Sequence, residues 1–368
     1  MNTRFDQVDE WGPYKIIHIS QQAAGLKAIV VVDNIACGPA IGGTRMAPDV
    51  SVLECARLAR AMTFKNASAG LPHGGAKSVI FADPGMPTEK KQTLMRAFAG
   101  AIKDLKDYIP GPDMGTNEQA MAWVHDEIGR AVGLPREIGG IPLDEIGATG
   151  LGVAVAAEVA ENFSQIKIDG ARFAIQGFGA VGKHAARFLA AKGARLVAAA
   201  DSTGTIYDAN GIDIEKLIEI KQQGEPVTAL ESGDKLDNDA IIGVDCDIWI
   251  PAARPDVLTK NNINRLKAKL VVQGANIPAT AEAEEIMHNR GIINVPDFIA
   301  NAGGVICASV EYHGGSEQAA LDAIAEKISR NTFEVLSQAI SKNILPRQAA
   351  EIMAQQRLRT AMALRRWP

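Results

Sequence analysis

Two lysines in the first third of the chain combine a reactive side chain with small and apolar neighbours. Lys65 follows Met62-Thr63-Phe64, and Lys77 follows Gly74-Gly75-Ala76. Most lysines lie on solvated surface, but a lysine forced into an apolar cleft beside another cation has a lowered pKa and can act as a general base near neutral pH. A lysine that stays charged would instead anchor a carboxylate. The residues alone leave the surface, base and anchor roles open.

A glycine-rich turn in the middle of the chain has the pattern of a dinucleotide-binding motif. Gly177-Phe178-Gly179-Ala180-Val181-Gly182 satisfies G-x-G-x-x-G, follows a strand signal at 172–176 and opens a predicted helix at 181–192. The first glycine permits the tight turn, the second lets the backbone approach a pyrophosphate, and the third lets helix and strand pack closely. The helix N-terminus offers free N–H groups to phosphate. We expect all six residues to line a bound dinucleotide.

Asp201 ends the next predicted strand, about 20 residues after the last glycine, where an acid normally accepts hydrogen bonds from the adenosine ribose hydroxyls. This spacing favours NAD. The alternative is that Asp201 only caps the Ser202-Thr203-Gly204 turn, and Ser202 and Thr203 could also hydrogen-bond a 2′-phosphate. The predicted cofactor is therefore NAD, with NADP possible, and Asp201 and Ser202 are predicted contacts.

The elements that must position these residues alternate between strand and helix signals. In the first part the predicted elements are a strand at 26–33, a helix at 51–65, a short strand at 78–82 and a helix at 88–106, with Pro110-Gly111-Pro112 breaking the pattern. Later signals are a helix at 150–162, the β-turn-α-β unit, strands at 247–250, 270–273 and 292–295, and helices over the last fifty residues. The predicted fold is α/β: an N-terminal α/β substrate domain and a doubly wound Rossmann-type domain, with C-terminal helices packing back.

Composition narrows the classes of protein. The chain has 368 residues, 47% of them hydrophobic, which is typical of two folded domains. A net charge of −5 argues against a broad nucleic-acid surface. The four cysteines are far apart without a CxxC pair, and the histidines lack ligand spacing, so we expect a reducing cytoplasm and no metal. No stretch is long and apolar enough to predict a membrane span.

Several motifs together resemble the glutamate/leucine/phenylalanine/valine dehydrogenases. The motifs that carry the resemblance are Gly38-Pro39-Ala40-Ile41-Gly42-Gly43-Thr44-Arg45, Lys65, Gly74-Gly75-Ala76-Lys77, Gly111-Pro112-Asp113, the glycine-rich turn, Gly274-Ala275-Asn276 and Asn301-Ala302-Gly303-Gly304-Val305. They run in order from about residue 25 to 330. The resemblance implies oxidative deamination of an L-amino acid to a 2-oxo acid and ammonia, with reduction of NAD(P)⁺.

The resemblance also assigns roles by position. Lys77 would be the general base that activates water, Asp113 would relay protons to and from the nitrogen, and Lys65 would bind the substrate α-carboxylate. Thr149 would contact the nicotinamide carboxamide, and Asn276 would lie near both nicotinamide and substrate. Turn and cap roles remain the alternatives for Asp113, Thr149 and Asn276.

The expected substrate has an apolar side chain. Glutamate-specific members have a lysine where this chain has Ile41 and a serine where it has Ala308, so a glutamate carboxylate would lie desolvated and unpaired. Small residues at Gly111 and Ala308 favour a branched or aromatic side chain. The predicted substrate-binding residues are Lys65, Ile41, Gly42, Gly111, Asn276, Val305 and Ala308. Glutamate dehydrogenase is the alternative within the family, and a catalytically silent dinucleotide-binding sensor is the alternative from another class.

The predicted organisation has three segments. Residues 1–134 form a catalytic and oligomerisation domain, residues 135–335 form the dinucleotide-binding domain, and residues 336–368 form helices that return to the first domain. The substrate chemistry is expected between the two domains, where closure would exclude water. A homo-oligomer that binds small molecules, with no nucleic-acid or membrane partner, is expected.

Overall fold

A computed structural model describes residues 8–366, which divide into two compact units. The first unit contains the chain up to Leu143, the segment Val305–Ala320 and the chain from Met353 onward, and the second contains Asp144–Gly304 and Leu321–Ile352. The sequence predicts that the chain returns to the first domain once, after residue 335. In the structure the chain re-enters the first unit at Val305 and again at Met353. Residues 1–7 of the predicted first segment and residues 367–368 of the predicted last segment lie outside the described residues.

The first unit is built on a five-stranded sheet with the strand order β1-β2-β4-β3-β5. Its elements are β1 (Lys15–Gln21), β2 (Leu26–Asn34), β3 (Ala40–Ala47), α1 (Val52–Ser68), β4 (Gly74–Phe81), α2 (Thr88–Ala101), β5 (Tyr108–Pro112) and α3 (Glu118–Ile128). Strands β3, β4 and β5 are parallel to one another, and β1 and β2 run antiparallel at one side. These three parallel strands carry three of the family motifs: residues 40–45 lie in β3, residues 74–77 in β4, and Gly111-Pro112 in β5.

Each face of this sheet is covered by its own helices, as strand alternation requires. On one face Ile29, Val31 and Val79 pack against α1 through Cys55 and Ala59. On the other face a larger apolar cluster joins the sheet to α2 and α3. Its main members are Leu26, Val30, Val32, Met46, Ile80, Met95, Phe98, Tyr108, Met121 and Val124. The sheet is therefore buried on both faces, which explains the apolar run from residue 26 to 33.

Gly75 lets α1 approach β4 more closely than any other residue type would. A Cβ at Gly75 would lie 2.0 Å from the backbone nitrogen of Thr63. The contact is reinforced nearby, because the Asn66 side chain donates a hydrogen bond of 2.7 Å to the carbonyl oxygen of Gly74. The glycine pair before Lys77 thus fixes the end of α1 against the start of β4.

The second unit contains a seven-stranded sheet with the order β12-β11-β10-β6-β7-β8-β9. Its elements are α4 (Ala148–Ala160), β6 (Arg172–Gln176), α5 (Ala180–Ala190), β7 (Arg195–Ala200), β8 (Thr205–Tyr207), α6 (Ile214–Gln222), β9 (Asp234–Leu236), β10 (Ile248–Pro251), β11 (Leu270–Val272), α7 (Ala281–Asn289), β12 (Ile293–Val295) and α8 (Asp297–Ala300). Strands β12, β11, β10, β6 and β7 are parallel, so the predicted α/β class with a Rossmann-type sheet is confirmed. Strands β8 and β9 add an antiparallel edge.

Three further helices complete the chain: α9 (Gly303–Tyr312), α10 (Glu317–Lys342) and α11 (Pro346–Ala363). They confirm the helical prediction for the last fifty residues. Helix α9 begins in the second unit and continues in the first, and α11 begins in the second unit and ends in the first. Between residues 8 and 366, no helix is long and apolar enough to cross a membrane.

Five strands were not expected from the sequence: β1, β3, β5, β8 and β9. Two of them, β3 and β5, carry residues of the family motifs. The segment around Ile41 forms β3, although its glycines gave no strand signal, and Pro110-Gly111-Pro112 belongs to β5 instead of breaking the pattern. Both follow from tertiary pairing. Because β5 is the edge strand of the sheet, its prolines need no ladder partner on the open side.

We predict that Gly75→Ala destabilises the first unit. The added Cβ would collide with the Thr63 backbone, and overpacking of this kind costs about 1–3 kcal/mol or more. The melting temperature measured by calorimetry should fall, and activity should fall with it because Lys77 follows two residues later.

Gly100→Ala is the matched control for that substitution. Nothing lies within 4 Å of a Cβ at Gly100, which is in α2, so alanine should stabilise this position by about 0.5–1 kcal/mol. Equal melting temperatures for the two variants would contradict the close-approach argument.

Candidate active site

The centre of the site in the first unit is the carboxylate of Asp113, which two cations share. Lys77 Nζ lies 2.9 Å from Asp113 Oδ2, and Arg45 Nε donates to the same oxygen at 2.9 Å. No donor from residues 8–366 hydrogen-bonds Oδ1 of this carboxylate. The structure thus brings the predicted base and the predicted relay together, and leaves one carboxylate oxygen for a further partner.

The charge of Asp113 is set by its surroundings. Burial alone would raise the pKa of its carboxyl, but the charges and hydrogen bonds of Lys77 and Arg45 outweigh burial and lower the pKa. The carboxylate is therefore ionised at neutral pH in the resting protein. A relay at this position begins as a proton acceptor.

The position of Arg45 is fixed from its other side by Glu54. Arg45 Nη1 donates a hydrogen bond of 2.6 Å to Glu54 Oε1 in the first turn of α1. The sequence analysis included Arg45 in the family motif but assigned it no role. No signal in the sequence showed this contact, because alternate residues point to the same face only in a strand, and β3 was not predicted as one.

Small residues open the sheet face next to the lysine–aspartate pair. Gly43 lies opposite Gly111 in the β3–β5 pairing. A Cβ at Gly43 would lie 2.9 Å from the Asp113 Cβ and 3.1 Å from Lys77 Nζ, and a Cβ at Gly111 would lie 3.0 Å from Val132 Cγ2. Side chains at these two positions would occupy the space in front of the pair.

An apolar cluster lies on the same sheet face, one step of the strand pleat away. Ile41 is opposite Ile109 in the β3–β5 pairing, and both pack with Val132 and Ala308. Ile41 is 4% exposed and Ala308 is 6% exposed. Residues two apart in a strand are separated by about 6.6 Å, which is about the reach of an amino-acid side chain measured from its Cα.

Glu311 fixes the loop that contributes Val132 to this cluster. Its carboxylate accepts backbone hydrogen bonds from Leu134 at 3.1 Å and Ile141 at 3.2 Å. Burial raises the pKa of Glu311. One helical turn separates Glu311 from Ala308 in α9, so the same helix supplies one residue of the apolar cluster and holds the loop that supplies another, Val132.

The remaining predicted substrate residues of the first unit occupy neighbouring positions. Lys65 lies half-buried in the last turn of α1, next to Asn66, whose side chain binds Gly74. Val305 is half-buried in α9. Gly42 faces away from the pair: a Cβ there would lie 1.7 Å from the Ala76 carbonyl oxygen. Its observed requirement is close strand packing, and a substrate contact at Gly42 stays a prediction.

The glycine-rich turn of the second unit fits a dinucleotide by its backbone. Gly177 has φ +96°, and a Cβ at Gly182 would lie 2.0 Å from the Gly177 carbonyl oxygen, so both positions require glycine. Nothing lies within 4 Å of a Cβ at Gly179, immediately before α5 begins at Ala180. That open space at a helix N-terminus is suited to a pyrophosphate. The Phe178 side chain is only 3% exposed, which leaves its backbone as the possible contact.

Asp201 is already hydrogen-bonded to its own surroundings. Its Oδ1 accepts from the backbone N–H and hydroxyl of Thr203 at 3.0 and 2.5 Å. Its Oδ2 accepts from Lys221 Nζ at 2.7 Å and the Val227 N–H at 2.9 Å. These four donors match the four lone-pair positions of a carboxylate. Although burial opposes the shift, the bonds from Lys221 and Thr203 lower the pKa of Asp201 to about 2. The capping role is therefore observed, and the ribose role stays a prediction.

Thr149 and Asn276 also lie in the second unit. Thr149 is the second residue of α4, whose first turn is packed closely by Gly303: a Cβ there would lie 1.9 Å from the Ala148 carbonyl oxygen. Asn276 is exposed on the loop after β11, and its Oδ1 accepts a hydrogen bond of 3.0 Å from Asn301 Nδ2. The described residues contain no cluster that could hold a metal ion, and the four cysteines are free.

Comparison with known families confirms the resemblance seen in the motifs. The family model described as Glutamate/Leucine/Phenylalanine/Valine dehydrogenase matches residues 139–366, and the one described as Glu/Leu/Phe/Val dehydrogenase, dimerisation domain, matches residues 14–130. The chain therefore belongs to the glutamate/leucine/phenylalanine/valine dehydrogenase family. It is accordingly an amino-acid dehydrogenase, an oxidoreductase.

The curated relatives reported for this chain are all named glutamate dehydrogenases. The chain is 38% identical to a glutamate dehydrogenase of Aeropyrum pernix over 91% of this chain and 85% of that protein. Further curated relatives at 35–40% identity are also named glutamate dehydrogenases, and two of these names specify NADP.

Among the solved structures that match almost the whole chain are a glutamate dehydrogenase and a tryptophan dehydrogenase. The hetero-hexameric glutamate dehydrogenase of Thermus thermophilus, in a leucine-bound form, has a TM-score of 0.85 at 28% identity and covers 97% of this chain and 91% of its own. The L-tryptophan dehydrogenase of Nostoc punctiforme has a TM-score of 0.77 at 26% identity and covers 97% of this chain and 99% of its own. Proteins that are similar to this chain in structure are thus named for a charged amino acid, glutamate, and for an apolar one, tryptophan.

We predict that Arg45→Met moves the acidic limb of the kcat/KM pH profile to higher pH. The folded-state pKa of Asp113 is lowered, so its carboxylate is lost only as the pH falls through that lowered value. Removing one of the two cations raises the pKa, by about one unit for a single neighbouring charge. The limb reports the essential groups of the free enzyme.

Arg96→Met is the control, because Arg96 forms ion pairs with Asp126 and Glu127 away from Asp113. Its profile should match that of the unaltered protein. An unchanged acidic limb in Arg45→Met would show that Asp113 does not govern it.

Proposed function

We propose that the protein catalyses the reversible, NAD(P)-dependent oxidative deamination of an apolar L-amino acid to its 2-oxo acid and ammonia. The observation that supports the substrate class is the buried apolar cluster of Ile41, Ile109, Val132 and Ala308, one pleat step from the Lys77–Asp113 pair. A branched or aromatic side chain would extend onto this cluster, and burial of its apolar surface stabilises the complex by about 25 cal/mol per Å².

Glutamate is disfavoured at the same place by electrostatics. A carboxylate directed at Ile41 and Ala308 would lose its hydration without gaining a cation or hydroxyl, and an unpaired buried charge costs several kcal/mol. Arg45 does not supply the missing partner, because its Nε and Nη1 are bound to Asp113 and Glu54.

The reaction requires a hydride acceptor, a base and a proton relay. NAD(P)⁺, which the glycine-rich turn at Gly177, Gly179 and Gly182 would hold, would supply the hydride acceptor for the substrate Cα. Lys65 pairs with the α-carboxylate as a fixed cation, and Asp113 Oδ1, the oxygen not held by the two cations, takes the proton of the substrate ammonium. Lys77 first releases the proton of its ammonium to the solvent. After oxidation, the neutral Lys77 Nζ removes a proton from the water that attacks the iminium carbon. Asp113 then protonates the nitrogen. As the C–N bond breaks, the carboxylate of Asp113 takes the proton of the carbinolamine hydroxyl, so the carbonyl forms, and ammonia leaves and takes up this proton as ammonium.

Water, substrate and protons balance in this sequence. The amino acid, NAD(P)⁺ and water give the 2-oxo acid, NAD(P)H, ammonium and one proton. Lys77 and Arg45 also stabilise negative charge that develops on the carbinolamine oxygen and on Asp113. The lowered pKa of Asp113 suits an acid that begins each turnover as a carboxylate.

Glutamate dehydrogenase is the second candidate, and the names of the curated relatives favour it. The relatives at 35–40% identity are named glutamate dehydrogenases, so whole-chain similarity supports glutamate better than an apolar substrate. The local chemistry at Ile41 and Ala308 supports the apolar class. The tryptophan dehydrogenase among the similar structures is consistent with an apolar substrate on this fold.

We propose that the cofactor site accepts both NAD and NADP. The ion pair with Lys221 neutralises Asp201, whose free carboxylate would repel a 2′-phosphate, and Ser202 and Thr203 are exposed beside it. A cation and hydroxyls next to each other can hold a phosphate. Thr149, Asn276 and the six residues of the glycine-rich turn complete the proposed cofactor contacts.

A homo-oligomer is also proposed. The matched model for residues 14–130 is described as a dimerisation domain, and one similar structure is hexameric by its printed description. The first unit is accordingly the proposed assembly region.

We predict that reductive amination is fastest with an apolar 2-oxo acid. Initial rates with ammonia and NADH should give a higher kcat/KM for 4-methyl-2-oxopentanoate or phenylpyruvate than for 2-oxoglutarate. In Ile41→Lys the order should move toward 2-oxoglutarate by about tenfold or more, since the new ammonium pairs with the side-chain carboxylate.

Ile41→Leu is the control, because it keeps the volume and apolar character of the cluster. It should preserve the order of substrates. If 2-oxoglutarate has the highest kcat/KM in the unaltered protein, the glutamate candidate replaces the apolar one.

We predict that Lys221→Met selectively impairs use of NADPH. Without this cation the Asp201 carboxylate is uncompensated and repels a 2′-phosphate, so the ratio of kcat/KM for NADPH to that for NADH should fall by about tenfold. Lys216→Met changes an exposed lysine of the same helix and should leave the ratio unchanged. Equal ratios in both variants would remove Lys221 from cofactor selection.

A further inference from the structure

Ile277 has a backbone conformation that its own side chain disfavours. Its φ is +48°, in the left-handed region that β-branched residues rarely occupy. The side chain is 56% exposed, so packing of the isoleucine does not stabilise the conformation. Strained residues persist only where their surroundings over-determine them, and this one directly follows Asn276.

Backbone hydrogen bonds on both sides hold the strained residue. The Ile277 N–H donates to Asp297 Oδ2 at 2.7 Å, and the Ile277 carbonyl accepts from the Asp256 N–H at 2.9 Å. One residue earlier, Asn301 Nδ2 bonds to Asn276 Oδ1 and to the Ala275 carbonyl oxygen at 3.0 and 3.3 Å. The orientation of the exposed Asn276 side chain is therefore fixed from beneath.

Asp297 is in turn held by a half-buried arginine. Arg347 Nη1, at the start of α11, lies 3.0 Å from Asp297 Oδ1. The same guanidinium donates to both oxygens of Glu284, at 2.7 and 2.9 Å, and to Gln273 Oε1 at 3.0 Å. Although burial opposes the charged form, the hydrogen bond to Glu284 and the charges of both acids raise the pKa of Arg347. One guanidinium thus compensates two buried carboxylates.

The two acids of this cluster have different second partners. Asp297 uses its other oxygen for the backbone of Ile277, whereas Glu284 binds within the cluster, to Arg347, Gln273 and Asn294. Both acids are almost completely buried. A purely structural cluster would not need one carboxylate directed at a strained surface loop.

We propose that Asp297 and Arg347 are positioning residues that hold the strained backbone at Ile277 and so fix Asn276 for the nicotinamide end of the cofactor. This inference rests on the proposed function, which places Asn276 near the nicotinamide. Arg347 orients Asp297, Asp297 binds the Ile277 N–H, and the left-handed residue sets the direction of the loop that carries Asn276. Neither positioning residue needs to touch the cofactor.

The test compares binding of NADH and ADP-ribose to the full chain by titration calorimetry. ADP-ribose contains the adenosine and pyrophosphate but no nicotinamide. In Asp297→Asn, either orientation of the amide places its NH2 against a donor, the Ile277 N–H or Arg347. We expect the Kd for NADH to rise by about tenfold, the loss of one charge-assisted hydrogen bond, and the Kd for ADP-ribose to change less than twofold.

Glu284→Gln is the matched control, because it perturbs the same buried cluster without contacting the loop. It should lower the melting temperature as Asp297→Asn does, yet leave the ratio of the two Kd values unchanged. Adding Ile277→Asn to Asp297→Asn should restore NADH binding in part, because asparagine tolerates a positive φ. A structural role alone would produce neither the selective loss nor the rescue.

Two further variants separate the possible failures. If Asp297→Asn does not fold, Arg347→Lys replaces it, because a single ammonium keeps the charge but cannot bind Glu284 and Asp297 together. If Asn276→Ala weakens NADH binding while Asp297→Asn or its replacement does not change the Kd ratio, the positioning inference is wrong and the proposed function stands. If Asn276→Ala leaves NADH binding and turnover unchanged, the nicotinamide role of Asn276 fails, and the inference fails with it.

Discussion

The shared carboxylate of Asp113 constrains the rest of the first unit. Lys77 and Arg45 both bind its Oδ2, and a half-buried cluster of two cations and one anion is stable only with close contacts and little competing water. Three neighbouring parallel strands supply these contacts. Glycines at positions 43 and 111 keep the space in front of the pair free, because a Cβ at Gly43 would approach Asp113 and Lys77, and a Cβ at Gly111 would approach Val132.

The second unit uses acids in a comparable way, as fixed partners of its own backbone. Asp201 closes the turn after β7, and Asp297 holds the backbone of Ile277. Each is compensated by a cation from a later helix, Lys221 or Arg347. The loops that carry proposed cofactor contacts are therefore ordered by partly buried charge pairs, whose geometry is more specific than that of apolar packing.

Family membership and substrate preference have different physical origins in this chain. The family models match residues 14–130 and 139–366, which include the lysine, aspartate and glycine motifs proposed to carry the deamination chemistry. The proposed side-chain pocket depends on a few residues from β3, β5, the loop after α3, and α9, which together form the cluster around Ile41. Overall similarity to glutamate dehydrogenases reflects the former, whereas the apolar cluster concerns the latter.

The sequence by itself determined the α/β class and most strands and helices. It also contained both a glycine-rich turn and a lysine motif. These features are readable because local periodicity and glycine spacing encode backbone geometry directly. Tertiary structure alone decided the strands at Ile41 and at Pro110-Gly111-Pro112, which depend on pairing with neighbours rather than on local propensity. It also revealed Arg45 beside Asp113, the saturated carboxylate of Asp201 and the contact from Arg347 to Asp297. These interactions join residues 20 to 68 positions apart, and no local pattern specifies which side chains meet across such separations.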